Sequence, residues 1–147
     1  MKINFRGVGA EELSFKMNMV RLEPNARLDI KPQFSRQVRK VKDNDKLNFI
    51  ALSLKVESTE AEPKPFDIHV TLVGTFEVED VAAGSDQERE FVIEGTKLLF
   101  PYLRAAVTNL TASAYVAPLN LPVISGPIFP EDRDVYAFSV SGEDKLN

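Results

Sequence analysis

The stretch that decides the fold is EGTKLLFPYLRAAVTNLTASAYVAPLNLP, residues 94–122. In its first part, apolar residues recur at the i, i+3, i+4 and i+7 spacing that is typical of an amphipathic helix. They are Leu98, Leu99, Tyr102, Leu103, Ala106, Val107 and Leu110. Because Phe100 and Ala105 add apolar side chains elsewhere around the helix, we expect it to be buried on nearly every side. One face should lie on a β-sheet, and the other should meet a second copy of the chain.

Prolines limit this helix. Pro101 lies inside the pattern, where a proline either kinks a helix or marks its first turn. After Ala114 the pattern changes to residues 115–129, an apolar segment with three prolines that cannot form a regular helix. We call this segment the arm. It is either a buried crossover that packs on the core or on a neighbouring subunit, or one wall of an apolar groove.

The chain before the helix has the period-2 alternation of β-strands. We predict strands over residues 12–20, 27–30, 46–57 and 66–78. Residues 34–42 form either an exposed edge strand or a loose crossover, and residues 43–45 form a turn. Gly74 falls on an apolar strand face, where it predicts a bulge or a close approach of the helix backbone. Ser85 or Asp86 can cap a helix that starts there and restarts near Pro101.

These elements predict an α+β fold, in which an antiparallel β-sheet has one long, mostly apolar helix packed on one face. The 147 residues suit a single domain over residues 1–147. After the arm, Val135, Ala137 and Phe138 predict a short strand. No run is long and apolar enough to span a bilayer, and the first residues lack the apolar core of a signal peptide. We therefore expect a cytoplasmic protein without membrane insertion.

No catalytic or metal site is predicted. The chain has no cysteine and one histidine, His69, which lies on the polar face of a strand with weak metal ligands around it. We therefore expect a protein that is not an enzyme and needs no metal or cofactor. The net charge of −4 argues against nucleic-acid binding. The basic run over residues 36–42 is either a strand edge kept soluble by its charge or a contact for phosphates.

The segment LLFPYLRAAVTNLTASAYVAPLNLP resembles the SecB family of bacterial export chaperones, which carries an I-L-F-P-Y-x-R motif, a helix and then P-x-L-N-L. The matching residues here are Leu98, Leu99, Phe100, Pro101, Tyr102 and Arg104, followed by Pro118, Leu119, Asn120 and Leu121. A weaker similarity extends upstream to about residue 12.

This resemblance implies a holdase chaperone that works without ATP and holds unfolded polypeptide in a long groove. It also implies a homotetramer, built as a dimer of dimers partly through the long helix. In the family, the crossover, the sheet and the main helix line the groove, which favours the groove-wall interpretation of the arm. Carried over by position, the groove residues are Phe66, Ile68, Val70, Tyr102 and Phe129. Leu119 and Leu121 are added because they are apolar residues of the arm.

The resemblance also implies a surface for docking the motor protein SecA, at Glu12, Lys16, Asp67 and His69. Glu12 keeps an acidic position of the family, but Lys16 and His69 replace glutamates and Asp67 replaces a leucine. A change from Glu to Lys reverses the charge, which argues against docking to the same motor. Two alternatives therefore stay open: a dedicated chaperone of a toxin–antitoxin system, and a structural or adaptor subunit whose groove is filled.

Overall fold

The computed structural model describes residues 2–20, 30–79, 81–122 and 127–132. Within them the chain forms four strands and one long helix: β1 (Ile3–Met17), β2 (Gln33–Val41), β3 (Asn44–Val56), β4 (Phe66–Val78) and α1 (Asp86–Ser113). The strands form one antiparallel sheet in the order β1-β4-β3-β2. Helix α1 packs on one face of this sheet, so the predicted α+β fold is confirmed.

The two central strands were predicted with nearly the observed bounds. In β3 and β4, alternate residues are buried under α1, because each of these strands has a neighbour on both edges and a helix above it. The fully buried side chains of the two strands are Ile50, Leu52, Leu54, Val56, Ile68, Val70, Phe76 and Val78. These residues join the buried face of α1 to form the core.

The outer strands differ more from the prediction. Residues 34–41 belong to the edge strand β2, and Lys42 begins the turn to β3, which lies at residues 42–43, one position earlier than expected. Strand β1 begins at Ile3, well before the predicted start at residue 12. Its register with β4 shifts between Phe5 and Gly7 and again between Ala10 and Glu12, and such bulges break the alternation from which a strand is recognised.

Helix α1 begins with a cap at Ser85, whose hydroxyl oxygen accepts a hydrogen bond from the Glu88 backbone N–H at 3.1 Å. The helix begins well before Pro101 and continues through it, so Pro101 does not mark a helix start. The pairing of β4 with both neighbours is regular at Gly74, so no bulge lies there. A Cβ atom at Gly74 would lie 2.8 Å from Phe76 Cε2 on the same strand and 3.2 Å from Leu99 Cδ1 on α1, so the close approach comes from side chains and not from the helix backbone.

The helix has three sides in the single chain. Leu99, Leu103 and Val107 face the sheet and are fully buried. The side that carries Arg104, Thr108 and Thr111 faces the arm. The third side carries Leu98, Tyr102 and Ala105, which are exposed in the single chain, and this is the side for which a second copy of the chain is expected.

Some predicted elements cannot be compared with the structure. The short strand over residues 27–30 lies outside the described residues except for Ile30, which is not in a strand. The predicted strand at Val135, Ala137 and Phe138 also lies outside them. Among the helices of the described residues, none is long and apolar enough to cross a membrane.

Candidate functional site

An apolar opening on the helix-covered side of the sheet lies between β1 and the second half of α1. It has a volume of about 460 Å³. Its apolar lining includes Val8, Ala10, Leu13, Tyr102, Ala106 and Leu110. We call it the open groove.

The open groove exists because α1 does not cover the whole of the edge strand. Cross-strand partners share a face of a sheet, and Leu13 pairs with the buried Val70 while Met17 pairs with Phe66. Leu13 and Met17 therefore lie on the side of the helix, yet 52% of the Leu13 surface and an even larger part of Met17 are exposed. Large apolar patches that stay exposed on a folded chain usually mark a binding surface.

Tyr102 forms the rim of the open groove and is held by an aromatic row. Its ring meets that of Phe5 edge-on, with the centroids 5.6 Å apart, and Phe5 stacks on Phe76 at 4.9 Å. With one side of its ring supported in this way, Tyr102 still has 48% of its surface exposed. The structure therefore presents a positioned aromatic side chain to whatever enters the groove.

The first part of the arm, residues 115–122, lies along the opposite side of α1, and the helix holds it mainly by its backbone. Leu119 N–H donates to Thr111 Oγ1 at 2.8 Å, and Thr108 Oγ1 donates to the Leu119 carbonyl at 3.1 Å. Arg104 Nε donates to the Leu121 carbonyl at 3.3 Å. Two prolines in this part of the arm already prevent a helix, so these bonds to α1 fix the path of the extended backbone.

The predicted groove residues are divided between an open and a closed surface. Tyr102 lines the open groove, and Leu119 is half-buried on the arm. The others lie in the closed core of the single chain: Phe66, Ile68, Val70, Leu121 and Phe129. Ile68 and Val70 are fully buried, because they lie on a central strand beneath other elements, so they line no open surface in this conformation.

The sequence did not predict several residues that line the open groove, namely Val8, Ala10, Ala106 and Leu110. It also did not predict that Leu13 is exposed. Leu13 was placed on the correct strand face. No periodic pattern shows that α1 leaves that end of the face uncovered. Val8 and Ala10 lie in the part of β1 that was not recognised as a strand.

The four predicted docking residues lie on the sheet face that α1 does not cover. By pairing, Lys16 is directly opposite Asp67, and His69 is opposite Ser14. The Asp67 carboxylate accepts hydrogen bonds from the Ser58 backbone N–H at 2.9 Å and from Asn18 Nδ2 at 3.0 Å. These two bonds, with the nearby positive charge of Lys16, lower the pKa of Asp67.

Further polar contacts lie on this face. His69 Nε2 lies 3.1 Å from the Glu57 carboxylate. Arg39 on β2 donates two hydrogen bonds, of 2.5 and 3.1 Å, to Glu11 on β1, the opposite edge of the sheet. The hydrogen bond from Arg39 lowers the pKa of Glu11. The face therefore carries paired charges of both signs, whereas motor docking in the SecB family relies on acidic and apolar residues.

Two observations bear on other kinds of site. Among the described residues, no group of three or more His, Asp or Glu side chains is placed to hold a metal ion. The basic run was expected to be either a strand edge kept soluble by its charge or a contact for phosphates. Lys40 on the edge strand and Lys42 in the turn after it are exposed, but Arg36 is not. Its guanidinium is paired with Asp132, so neither interpretation holds at this position.

Comparisons of the sequence with known proteins agree with the resemblance. The profile of the family described as preprotein translocase subunit SecB matches residues 6–126. The protein-export protein SecB of Anaplasma marginale is 26% identical over 136 residues, which are 92% of this chain and 69% of that protein. An uncharacterised protein of Methanocaldococcus jannaschii is 28% identical over 127 residues, which are 84% of this chain and 79% of that protein.

A solved structure has the same fold. It is a SecB-like chaperone of Mycobacterium tuberculosis in complex with a ChAD peptide from the HigA1 antitoxin. The match has a TM-score of 0.69 with 17% sequence identity, and it covers 86% of this chain and 93% of that chain. At this level of identity, the similarity establishes the arrangement of sheet and helix.

Proposed function

Because the chain belongs to the SecB family, we propose that it is an ATP-independent holdase chaperone that binds unfolded polypeptide in protein export. The SecB-like chaperone family is non-enzymatic. We further propose that this chain performs no covalent step and acts in the cytoplasm. The observation that carries the proposal is the open groove, where Leu13 and Tyr102 present large apolar surfaces on a folded chain.

An extended polypeptide fits the open groove because β1 offers two kinds of contact. As the edge strand it has one row of backbone N–H and C=O groups that pair with no other strand among the described residues. An unfolded client can add a strand there, and its alternate apolar side chains can enter the groove. Backbone hydrogen bonds do not depend on the client's sequence, so this mode suits a chaperone that accepts many clients.

The expected affinity follows from apolar burial. Burying about 1,000 Å² of apolar surface contributes roughly 25 kcal/mol at about 25 cal/mol per Å². Ordering the client and losing its rigid-body freedom offset most of this gain. Weak binding in each groove, repeated over several subunits, raises the overall affinity without any nucleotide. The proposed homotetramer therefore matters for function.

The same surface is also suited to self-association. An unpaired edge strand as long as β1 is usually covered, and the third side of α1 exposes Leu98 and Tyr102 beside it. We propose that the exposed side of α1 around Leu98, which does not line the open groove, contributes to the contacts between subunits, in line with a dimer of dimers built through the helix. The test below separates this role from client binding.

A dedicated chaperone of a toxin–antitoxin system is the second candidate function. The paired charges at Lys16 and Asp67 favour it, because they depart from the acidic surface with which SecB proteins dock SecA. A structural or adaptor subunit is the third candidate, and it is favoured by the burial of Leu121 and Phe129 in the single chain. Binding of purified SecA would support export, and its absence would favour the dedicated chaperone.

The decisive experiment follows the aggregation of a heat-unfolded test protein by light scattering without nucleotide. The wild type should suppress aggregation, and Leu13→Asp should suppress it less because it puts a charge into the open groove. Ser14→Asp is the matched control, since it adds the same charge to the opposite face of β1. If the wild type fails at several-fold molar excess over the test protein, the holdase proposal is wrong.

Light scattering combined with size-exclusion chromatography then assigns the groove. If Leu13→Asp loses client binding and keeps the subunit number of the wild type, the open groove is a client site. If it dissociates the oligomer, the groove is an interface between subunits.

A further inference from the structure

Arg36 joins three separate parts of the chain. It lies on the side of β2 that faces the helix, where it pairs with the buried Leu52. Its Nη1 and Nη2 atoms donate to the two carboxylate oxygens of Asp132 at 2.6 and 2.5 Å, and Nη1 also donates to Thr96 Oγ1 on α1 at 3.1 Å. The Phe129 ring lies over the guanidinium, with its centroid 4.2 Å from Cζ.

The geometry of this cluster leaves little freedom. The side chains of Arg36 and Asp132 are only 11% and 8% exposed. Thr96 Oγ1 donates its own hydrogen to the Val92 carbonyl at 2.6 Å, so its oxygen faces Arg36 as an acceptor. A guanidinium and a carboxylate joined by two bonds form a planar pair that fits in one orientation. The cluster therefore fixes the position of residues 127–132 relative to β2 and α1.

Stability alone does not account for an ion pair at this place. Removing two charges from water costs nearly as much as their attraction returns, and apolar residues of similar volume often hold such a site at least as well. Removing one partner, in contrast, leaves an unpaired buried charge and is strongly destabilising. When both partners move apart into water, both regain their hydration. Such a pair holds a segment in one defined position and still allows the whole segment to detach from the core when the pair separates.

The segment held by Arg36 covers apolar surface. Phe129 and Leu121 belong to the buried core, and Ile128 packs against it. Phe34 of β2 packs against the same core, with its ring centroid 6.1 Å from that of Phe100 on α1. The first part of the arm is attached to α1 by hydrogen bonds of its backbone. Residues 127–132 are attached by the polar contacts of the Arg36 cluster.

We propose that the ion pair between Arg36 and Asp132, with Thr96, is a latch that keeps the segment carrying Phe129 seated and thereby limits the apolar surface that the chaperone exposes without a client. This inference rests on the proposed holdase function. When the latch opens, Phe129 and the apolar residues beneath it become accessible, and the chaperone gains surface for unfolded polypeptide.

The test compares variants by hydrogen exchange of residues 115–122 and 127–132, by binding of an apolar fluorescent dye, and by affinity for an unfolded test protein. Asp132→Asn should increase exchange in these segments, raise dye binding several-fold and tighten client binding several-fold. Arg36→Met combined with Asp132→Leu should return exchange and dye binding to wild-type levels, because an apolar pair keeps the segment seated.

Glu88→Gln is the matched control, because Glu88 forms another ion pair between α1 and β2, with Lys40 at 3.1 Å, away from the arm. The latch is refuted if Asp132→Asn matches the wild type in exchange and dye binding, or if Glu88→Gln produces the same increase. It is also refuted if exchange rises while client affinity stays the same.

Two further comparisons keep the test decisive. If Asp132→Asn does not fold, the double variant Arg36→Met, Asp132→Leu is compared with the wild type. In this variant the segment that carries Phe129 stays in place, so it should bind the client more weakly than the wild type. Client binding that is no weaker refutes the latch. Exchange and dye binding need no client. A wild type that binds no client therefore refutes the holdase proposal, whereas the latch is judged by the other two measurements.

Discussion

Replacing Tyr102 with alanine should weaken client binding without unfolding the protein. An aromatic residue buries about 150–250 Å² when fully covered, and Tyr102 has 48% of its surface exposed. About 100 Å² is therefore available to a client. At about 25 cal/mol per Å² this surface is worth about 2.5 kcal/mol if the client covers all of it, and about half as much if it covers one side. The Kd should rise between about 8-fold and about 60-fold.

Fluorescence anisotropy of a labelled unfolded peptide measures this change in Kd directly. Tyr115→Asn is the matched control, because Tyr115 is 97% exposed but does not line the open groove. Its backbone has a φ of 62°, a left-handed conformation that asparagine tolerates. Thermal unfolding of each variant shows whether the contact between Tyr102 and Phe5 has a separate effect on stability.

The result for Tyr102 discriminates between explanations. An unchanged Kd for Tyr102→Ala would show that the client does not contact the open groove. An equal loss for Tyr102→Ala and Tyr115→Asn would show that any exposed tyrosine contributes, and that the groove has no special role. Either outcome would refute the reasoning from exposed apolar area.

Three further predictions concern stability. Gly95→Ala should destabilise the protein by about 1 kcal/mol in urea unfolding, since the new Cβ would lie 2.5 Å from Ile50 Cδ1 and overpacking outweighs the gain in helix propensity; a higher midpoint would contradict this. Ser85→Ala should cost about 1 kcal/mol and Ser85→Asp should restore it, whereas equal stabilities would rule out the cap. The pKa of Glu11 is lowered, so its pairing with Arg39 stabilises the fold fully when the pH is above 4.5, the ordinary pKa of a glutamate. This contribution is lost as the pH falls through the pKa that Glu11 has in the folded protein. Glu11→Gln should therefore lose less stability on acidification than the wild type, and parallel curves would contradict the pairing.

The central strands and the helix could be predicted because their surroundings impose one period throughout. β3 and β4 have strands on both sides and α1 above, so their alternation is unbroken from end to end. β1 was recognised only from residue 12 because its two bulges shift the alternation. Helix α1 was recognised by its apolar second half, whereas its first turns were indicated only by the capping residues.

The site was predicted less well, for a different physical reason. Alternation shows to which face of a strand Ile68 and Leu13 belong, but not whether another element covers that face. Ile68 is covered by other elements and Leu13 is not. This difference depends on where α1 lies across the sheet. Arg36 shows the same limit, since its partner Asp132 is 96 positions away and no local pattern indicates a pairing at that separation.

Most bonds between α1 and the arm end on backbone atoms, namely the N–H and carbonyl of Leu119 and the carbonyl of Leu121. One bond, from Thr108 Oγ1 at 3.2 Å, ends on the side-chain oxygen of Asn120. Every residue type provides a carbonyl and every type except proline provides the N–H, so attachment places almost no demand on the arm's side chains. The side chains that project from this stretch are therefore free to change while their anchorage is retained. A substitution at the exposed Ala117 should therefore leave the arm attached to α1.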